Sequence, residues 1–435
     1  MTPLAFANLF PEFRADSWSA WRRVLARVTP AVRELYVIAG RGSGKSRIVA
    51  LLACCFASRE YRRAPGERIY VGVFGPERKQ ARITFAYVVG LLRSVPELEA
   101  LIDAERRESV DLRNGVTVEV ITASKAAPRG RSYALVIVEE AAFLPQGDSA
   151  EPDVELVRAV RPALARVPGS LLAVVSSPYA KRGIVYDAWR RNEEAPADDT
   201  VVVQAATLDL NPTFDARAVA KARAEDAPAA ASEYDAVFRS DIESYTPREA
   251  VEACVEPGAR ELPPVRTTTY RAFVDPAGGS GKDSFALAIG HKEDDGTVVV
   301  DAVRETRPIF SPEAAVADYA ALLRRYGVGS VTGDRYAGEW PREAFRKHGI
   351  EYEVADRPKS DLYRDALPLI NSGQLELPDL PRLVAQICGL ERRTARGGRD
   401  SIDHAPGAHD DLANVALGLA ATLATGEELL EDPVW

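Results

Sequence analysis

The run Glu34-Leu-Tyr-Val-Ile-Ala39, then Gly40-Arg41-Gly42-Ser43-Gly44, then Lys45-Ser46 and an apolar stretch from Arg47 to Ser58, dictates a strand, a tight loop and a helix in succession. Glycines at alternate positions let the loop curl until its backbone N–H groups face inward, and the helix that follows adds the positive end of its dipole. Such a loop is built to hold phosphate. It departs from the usual phosphate-loop pattern only at its first position, where Ala39 replaces a glycine. Lys45 is then placed to reach the β and γ phosphates of a nucleotide, and the Ser46 hydroxyl to ligate Mg²⁺.

A strand feeding this kind of loop belongs to a mostly parallel sheet with helices on both faces, and the rest of the N-terminal half agrees. Strands are expected over 68–74, 116–122, 133–138 and 170–176, with a helix over 78–93, and an Ala-rich helix from Ala216 as far as Pro228. Leu135-Val-Ile-Val-Glu139-Glu140 is an apolar strand ending in two acids: Glu139, where aspartate is usual, can hold the water shell of Mg²⁺, and Glu140 can polarise an attacking water. Prolines 247, 257, 263 and 264 then loosen the pattern. The boundaries expected are a first domain over 1–243, a linker over 244–268 and a second α/β domain over 269–435.

In the second domain, three acids arrive from three elements. Asp275 ends an apolar strand, Asp334 ends a later one after Ser-Val-Thr-Gly, and Asp410-Asp411 opens the last helix. Carboxylates that converge repel one another unless a cation neutralises them, so the set implies divalent metal ions. Two such ions can activate water and stabilise a leaving oxygen in phosphodiester cleavage. Consecutive helix positions diverge by about 100°, so only one of Asp410 and Asp411 can face the site fully, and either can also serve as a simple helix cap. Asp283 is either a further acid of the cluster or a turn residue. Lys359 is either a DNA phosphate contact or a solvated lysine, and His404 and His409 either tune the third acid or belong to loops.

The order Gly-Arg-Gly-Ser-Gly-Lys-Ser, Pro128-Arg129-Gly130, Glu139-Glu140-Ala-Ala-Phe143, Val175-Ser176-Ser177-Pro178 resembles the ATPase domain of the large terminase family. The order of acids in the second half resembles that family's RNase H-like nuclease domain. The resemblance implies a P-loop ATPase followed by an RNase H-like nuclease. Its activities are ATP-driven translocation of double-stranded viral DNA into a procapsid and metal-dependent endonucleolytic cutting of the concatemer. Ser176 and Ser177 inherit a coupling or γ-phosphate-sensing role; Arg129 resembles an arginine that reaches into a neighbouring subunit's site, or else pairs with an acid on the surface, and Arg41 is the family's variable arginine inside the phosphate loop, so that either is a candidate to stabilise charge at the γ-phosphate. Asp275 bridges the metals, Asp334 is the second ligand and Asp411 the third, with Asp410 beside it. ATP, Mg²⁺ and, at the nuclease site, Mn²⁺ are the implied cofactors. Duplex DNA, the portal protein, a small terminase subunit and further copies of the chain in a ring are the implied partners. Trp18 and Trp21 lie where a terminase contacts adenine, although Trp spaced three apart also suits a buried helix face.

Composition limits the alternatives. A net charge of -9 counts against a protein that coats itself in nucleic acid, so DNA contact must be local or shared. No apolar run reaches the roughly 18 residues of a membrane span, and the first residues lack a secretory pattern, which makes the host cytoplasm the expected compartment. Cys54, Cys55, Cys254 and Cys388 show no metal-site spacing and are expected as free thiols. The competing readings are a helicase or repair translocase with an attached nuclease, and a docking protein whose acids are silent.

Overall fold

The computed structural model describes residues 1–123, 130–145, 149, 151–281, 283–333, 339–394 and 400–425. It divides into two compact units, Met1–Pro145 with Glu151–Asp241, and Ile242 onward.

The first unit is built on eight strands: β1 Glu34–Ala39, β2 Ile69–Gly75, β3 Ile102–Glu105, β4 Ser109–Leu112, β5 Val116–Thr122, β6 Ser132–Glu139, β7 Leu171–Ser176 and β8 Thr200–Ala205. Their order across the sheet is β3-β4-β5-β2-β6-β7-β1-β8. All pairings from β5 to β8 are parallel, and β3 and β4 add an antiparallel edge. Alternate residues of β1 serve opposite cores. Leu35, Val37 and Ala39 pack with helix Lys45–Ala57, whereas Tyr36 and Ile38 pack with helix Pro152–Leu164. Burial on both faces is why β6 and β7 read as unbroken apolar runs.

Two expectations change here. The β3–β4 hairpin was not anticipated, because Ile102–Leu112 is interrupted by charges that an edge pair can leave in solvent. The Ala-rich helix is two helices, Ala216–Glu225 and Ala227–Asp235. The break falls at Asp226, whose carboxylate caps the second helix through Ala229 N, and Pro228 sits in that helix's first turn, where it is tolerated.

The second unit opens with β9 Ile242–Ser244 and β10 Val255–Glu256, joined by helix Arg248–Glu252. The span expected as a linker is therefore structured: Val251 and Cys254 are buried in this unit's core, and β10 extends its sheet by pairing with the strand Leu375–Pro378. Local prolines signalled a loop, but tertiary pairing decided the outcome. The remaining strands are β11 Arg271–Asp275, β12 Phe285–Lys292, β13 Val298–Thr306, β14 Ser330–Gly333, β15 Glu351–Val354, β16 Leu375–Pro378, β17 Leu390–Arg393 and β18 Ser401–His404. The main sheet runs β10-β16-β13-β12-β11-β14-β15. An antiparallel meander β11-β12-β13 is continued beyond β11 by parallel β14 and β15, the expected RNase H-like arrangement. Helix Asp411–Thr425 packs on one face and helix Pro312–Arg325 on the other. All four cysteines are free thiols, and no helix of the described residues is long and apolar enough to cross a membrane.

Candidate functional site

In the first unit the glycine loop leaves β1 and enters helix Lys45–Ala57 through Gly44, whose φ of +96° is a left-handed conformation that favours glycine. The loop carbonyls are tied from outside. Trp21 Nε1 donates to Ser43 O (2.7 Å), Asn211 Nδ2 to Gly42 O (2.8 Å) and Thr207 Oγ1 to Arg41 O (2.9 Å). These outside ties fix the curl of the loop, in which the Arg41 amide donates to Glu233 O (2.5 Å) and the Ser43 amide to Gly40 O (3.4 Å). The surroundings also enforce the glycines: a Cβ on Gly40 would stand 2.2 Å from Thr207 Oγ1, and one on Gly42 2.4 Å from the Phe214 ring.

Lys45 is only 9% exposed. Its Nζ donates to Ala39 O (2.7 Å), Gly40 O (3.1 Å) and Ser177 Oγ (3.0 Å), and lies 3.9 Å from Glu140. Burial lowers its pKa, with Glu140 and Glu139 opposing. Glu139, 4% exposed at the end of β6, accepts from Thr84 Oγ1 (2.8 Å) and from Ser46. Burial first, and then the neighbouring Glu140 charge, push its pKa up to about 7. Glu140 adopts a left-handed backbone (φ 46°), uncommon for a non-glycine and a mark of local strain, and accepts from Ser177 N (3.3 Å). Ser176 Oγ donates to Ser177 O (2.7 Å) and accepts from Ala142 N (3.2 Å), which joins the end of β7 to the turn after Glu140. Glu139 Oε2 and Ser43 Oγ are buried without a hydrogen-bond partner. The orphaned Glu139 oxygen, with the Ser46 hydroxyl beside that carboxylate, fits a hydrated Mg²⁺, which Glu139 and Ser46 would hold against a nucleotide's phosphates.

The structure therefore gathers Gly40 to Ser46, Glu139, Glu140, Ser176 and Ser177 at one place. Arg41 turns outward, its exposed guanidinium 3.1 Å from Glu233. Arg129 lies outside the described residues. Trp21 is buried and holds the loop, and Trp18 packs edge-on against Phe13 beneath the Arg47 guanidinium, so both serve the loop and its helix.

In the second unit, Asp275 ends β11 and accepts from Asn414 Nδ2 (2.8 Å). Its pKa is pushed up to about 7, by burial first and then by the charges of Asp411 and Asp410, so the three carboxylates lie within one another's field. Asp411 accepts from Ser284 N (3.1 Å), and its pKa is also raised by burial. Asp410 is occupied: Tyr363 Oη donates to it at 2.7 Å and Lys359 Nζ lies 2.9 Å away, while the same ammonium is 3.1 Å from Asp403. Two groups bring their ligand atoms within 4.8 Å of one another, Asp283–His409–Asp411 and Asp403–His404–Asp410. Lys359 neutralises the second group. Asp275 and Asp411, with Asp283 and His409 beside the latter, are left as a donor set, mostly oxygen, that suits a hard divalent cation. β14 runs parallel beside β11, with Gly333 opposite Val274. Asp334 itself lies outside the described residues.

Sequence reasoning missed Trp21's hold on the loop, Thr84, Thr207 and Asn211 in the first unit, and Asn414 and Tyr363 in the second. Only Asn414 carried a signal: it stands three residues after Asp411, on the same helix face.

The two units thus present the frame of a P-loop nucleotide site and of an RNase H-like acid site. Residues 36–147, about a quarter of the chain, match the family described as RNA cytidine acetyltransferase NAT10/TcmA, helicase domain. No curated protein sequence matches this chain. Among solved structures it is similar to the large terminase of bacteriophage HK97, at 16% identity over 91% of this chain and 94% of that one, with a TM-score of 0.42. It is similar to the large terminase of a thermophilic bacteriophage in complex with ADP at 12% identity, over 96% and 100% of the two chains, TM-score 0.41. The large terminase nuclease of thermophilic phage G20c matches at 17% identity, over 40% of this chain and 95% of that one, TM-score 0.33.

Proposed function

We propose that this chain is a DNA-packaging motor and nuclease of the large terminase kind: it hydrolyses ATP in its first unit to move duplex DNA, and cuts DNA with divalent metal in its second. The observation that supports this best is the presence, on one polypeptide, of a buried lysine facing Glu140 across a glycine loop and of a separate cluster of buried carboxylates around Asp275.

In the first unit, Glu140 accepts the proton of a water whose oxygen attacks the γ-phosphorus, as the bond to the β–γ bridging oxygen breaks and ADP leaves. Lys45 leaves its carbonyl partners to follow the phosphate charge. Ser46 and Glu139 would hold Mg²⁺, which neutralises charge developing on the phosphates. Ser177, which touches both Lys45 and Glu140, is placed to sense loss of the γ-phosphate, and Arg41, on release from Glu233, or Arg129 supplies the further positive charge. In the second unit Asp275, Asp411 and Asp334 would hold Mg²⁺ or Mn²⁺, whose chemistry is to lower the pKa of water and stabilise the leaving oxygen. Asp410, pinned by Lys359 and Tyr363, orients the turn that presents Asp411. The site acts in the host cytoplasm, with portal protein, a small subunit and further copies of the chain as partners.

The match of residues 36–147 to a helicase domain favours one other reading, a strand-separating enzyme. The matched segment spans only the phosphate loop and the strands up to Glu140, parts that any motor of this class shares. Displacement of a triplex-forming strand from duplex DNA reports movement along intact duplex, and opening of a forked duplex reports strand separation. ATP-dependent triplex displacement without fork opening is the expected result; fork opening with no triplex displacement would sink the packaging reading.

A further inference from the structure

An acid at a helix start ordinarily folds back to accept the first free amides of its own helix. At helix Asp411–Thr425 that task has passed to another element. Gln386, buried in helix Pro381–Gly389, accepts from Leu412 N (2.7 Å) and from Ala413 N (3.1 Å) through its single Oε1. With these amides satisfied, neither Asp410 nor Asp411 is drawn back onto the helix. Asp410 turns to Tyr363 and Lys359, and Asp411 lies against Ser284 N. Asp411 and Asn414, three positions apart, share the face that meets Asp275.

We propose that Gln386 is a positioning residue of the metal site: by capping helix Asp411–Thr425 from outside, it releases Asp411 for metal binding. The inference rests on reading the second unit as a metal-dependent nuclease. A neutral amide suits the task, because it offers the acceptor without adding another negative charge to a cluster that already repels itself. Its effect is on how tightly metal is held, since Gln386 touches the amides and not the reacting groups.

The test uses the full chain, with Mn²⁺ binding followed by calorimetry and the Mn²⁺ dependence of plasmid nicking measured in parallel. Gln386→Met keeps length and apolar bulk but removes the acceptor. It is expected to raise the Mn²⁺ concentration for half-maximal nicking by about 10–100-fold, the usual effect of losing a group that orients a ligand, with the rate at saturating Mn²⁺ close to wild type. Gln386→Glu keeps an acceptor but adds a charge to the cluster, so at a pH where it is ionised it should not reproduce the wild-type Mn²⁺ requirement. If Gln386→Met does not fold, Gln386→Asn, whose amide falls one methylene short, is expected to weaken binding in the same direction. An unchanged Mn²⁺ requirement, or a loss confined to the saturated rate, overturns the proposal while leaving the nuclease reading intact. A wild-type chain that binds no Mn²⁺ overturns both.

Discussion

Trp21 shows how a residue far from the chemistry sets it up: a buried indole whose one polar atom grips the carbonyl of Ser43. Trp21→Phe removes the hydrogen bond and part of a buried ring, so it should weaken nucleotide binding by about 1 kcal/mol, roughly fivefold, and also lower the melting temperature of the first unit through the cavity it leaves. Unaltered ATP affinity in an equilibrium titration would show that the loop holds itself. At this scale the sequence was informative wherever chemistry and chain order coincide. Lys45, Glu139, Glu140, Asp275 and Asp411 stand next to their own strand or helix signals. Residues that act across the fold, such as Thr84 on Glu139 or Asn211 on Gly42, leave no local trace.

His291 lies outside both sites and gives a test of burial itself. It sits between Asp301 (2.6 Å) and Glu293 (3.0 Å) with Tyr270 edge-on to its ring. Burial works against its charge, but the hydrogen bonds and charges of the two acids outweigh it, so its pKa is raised. A folded pKa above the unfolded value of about 6.5 means that the stability it contributes is fully present below that pH and is lost as pH rises through the folded value. His291→Gln should therefore cost about 1.5–3 kcal/mol in urea unfolding at pH 6 and less at pH 9. An equal cost at both would mean that the imidazole is neutral throughout.

Among the elements, helix Asp411–Thr425 does the most for the second site, and its length and apolar character made it legible from the sequence. Its close approach to β11 was not, because that depends on Gly418: a Cβ there would stand 2.9 Å from the Phe273 ring, which is itself fully buried. Gly418→Ala should destabilise the second unit by about 1–3 kcal/mol through overpacking, lowering the temperature at which nicking is lost while ATP hydrolysis keeps its own profile. A wild-type nicking profile would show that the helix can slide without cost. Strand and helix periodicity placed most of the parallel strands and the long helices. It failed on short edge strands and on the proline-rich span 244–268, whose structure comes from pairing with β16 and from burial of Val251.

For the whole molecule, the net charge of -9 counts against a surface that is basic throughout. On the proposed function, duplex DNA would be held by local contacts, and its binding should fall steeply with salt where those contacts are to phosphate. The division at Asp241 and Ile242 gives each site its own sheet and its own core. Two chemistries housed in this way should be separable by single substitutions. The measurement that bears most directly on that claim is parallel assay of ATP hydrolysis and Mn²⁺-dependent plasmid nicking in Lys45→Ala and Asp275→Ala, each checked for folding. Lys45→Ala is expected to lose ATP hydrolysis by at least about a hundredfold and still nick, and Asp275→Ala to hydrolyse ATP and not nick; loss of both activities in each folded variant would contradict the assignment of two independent sites.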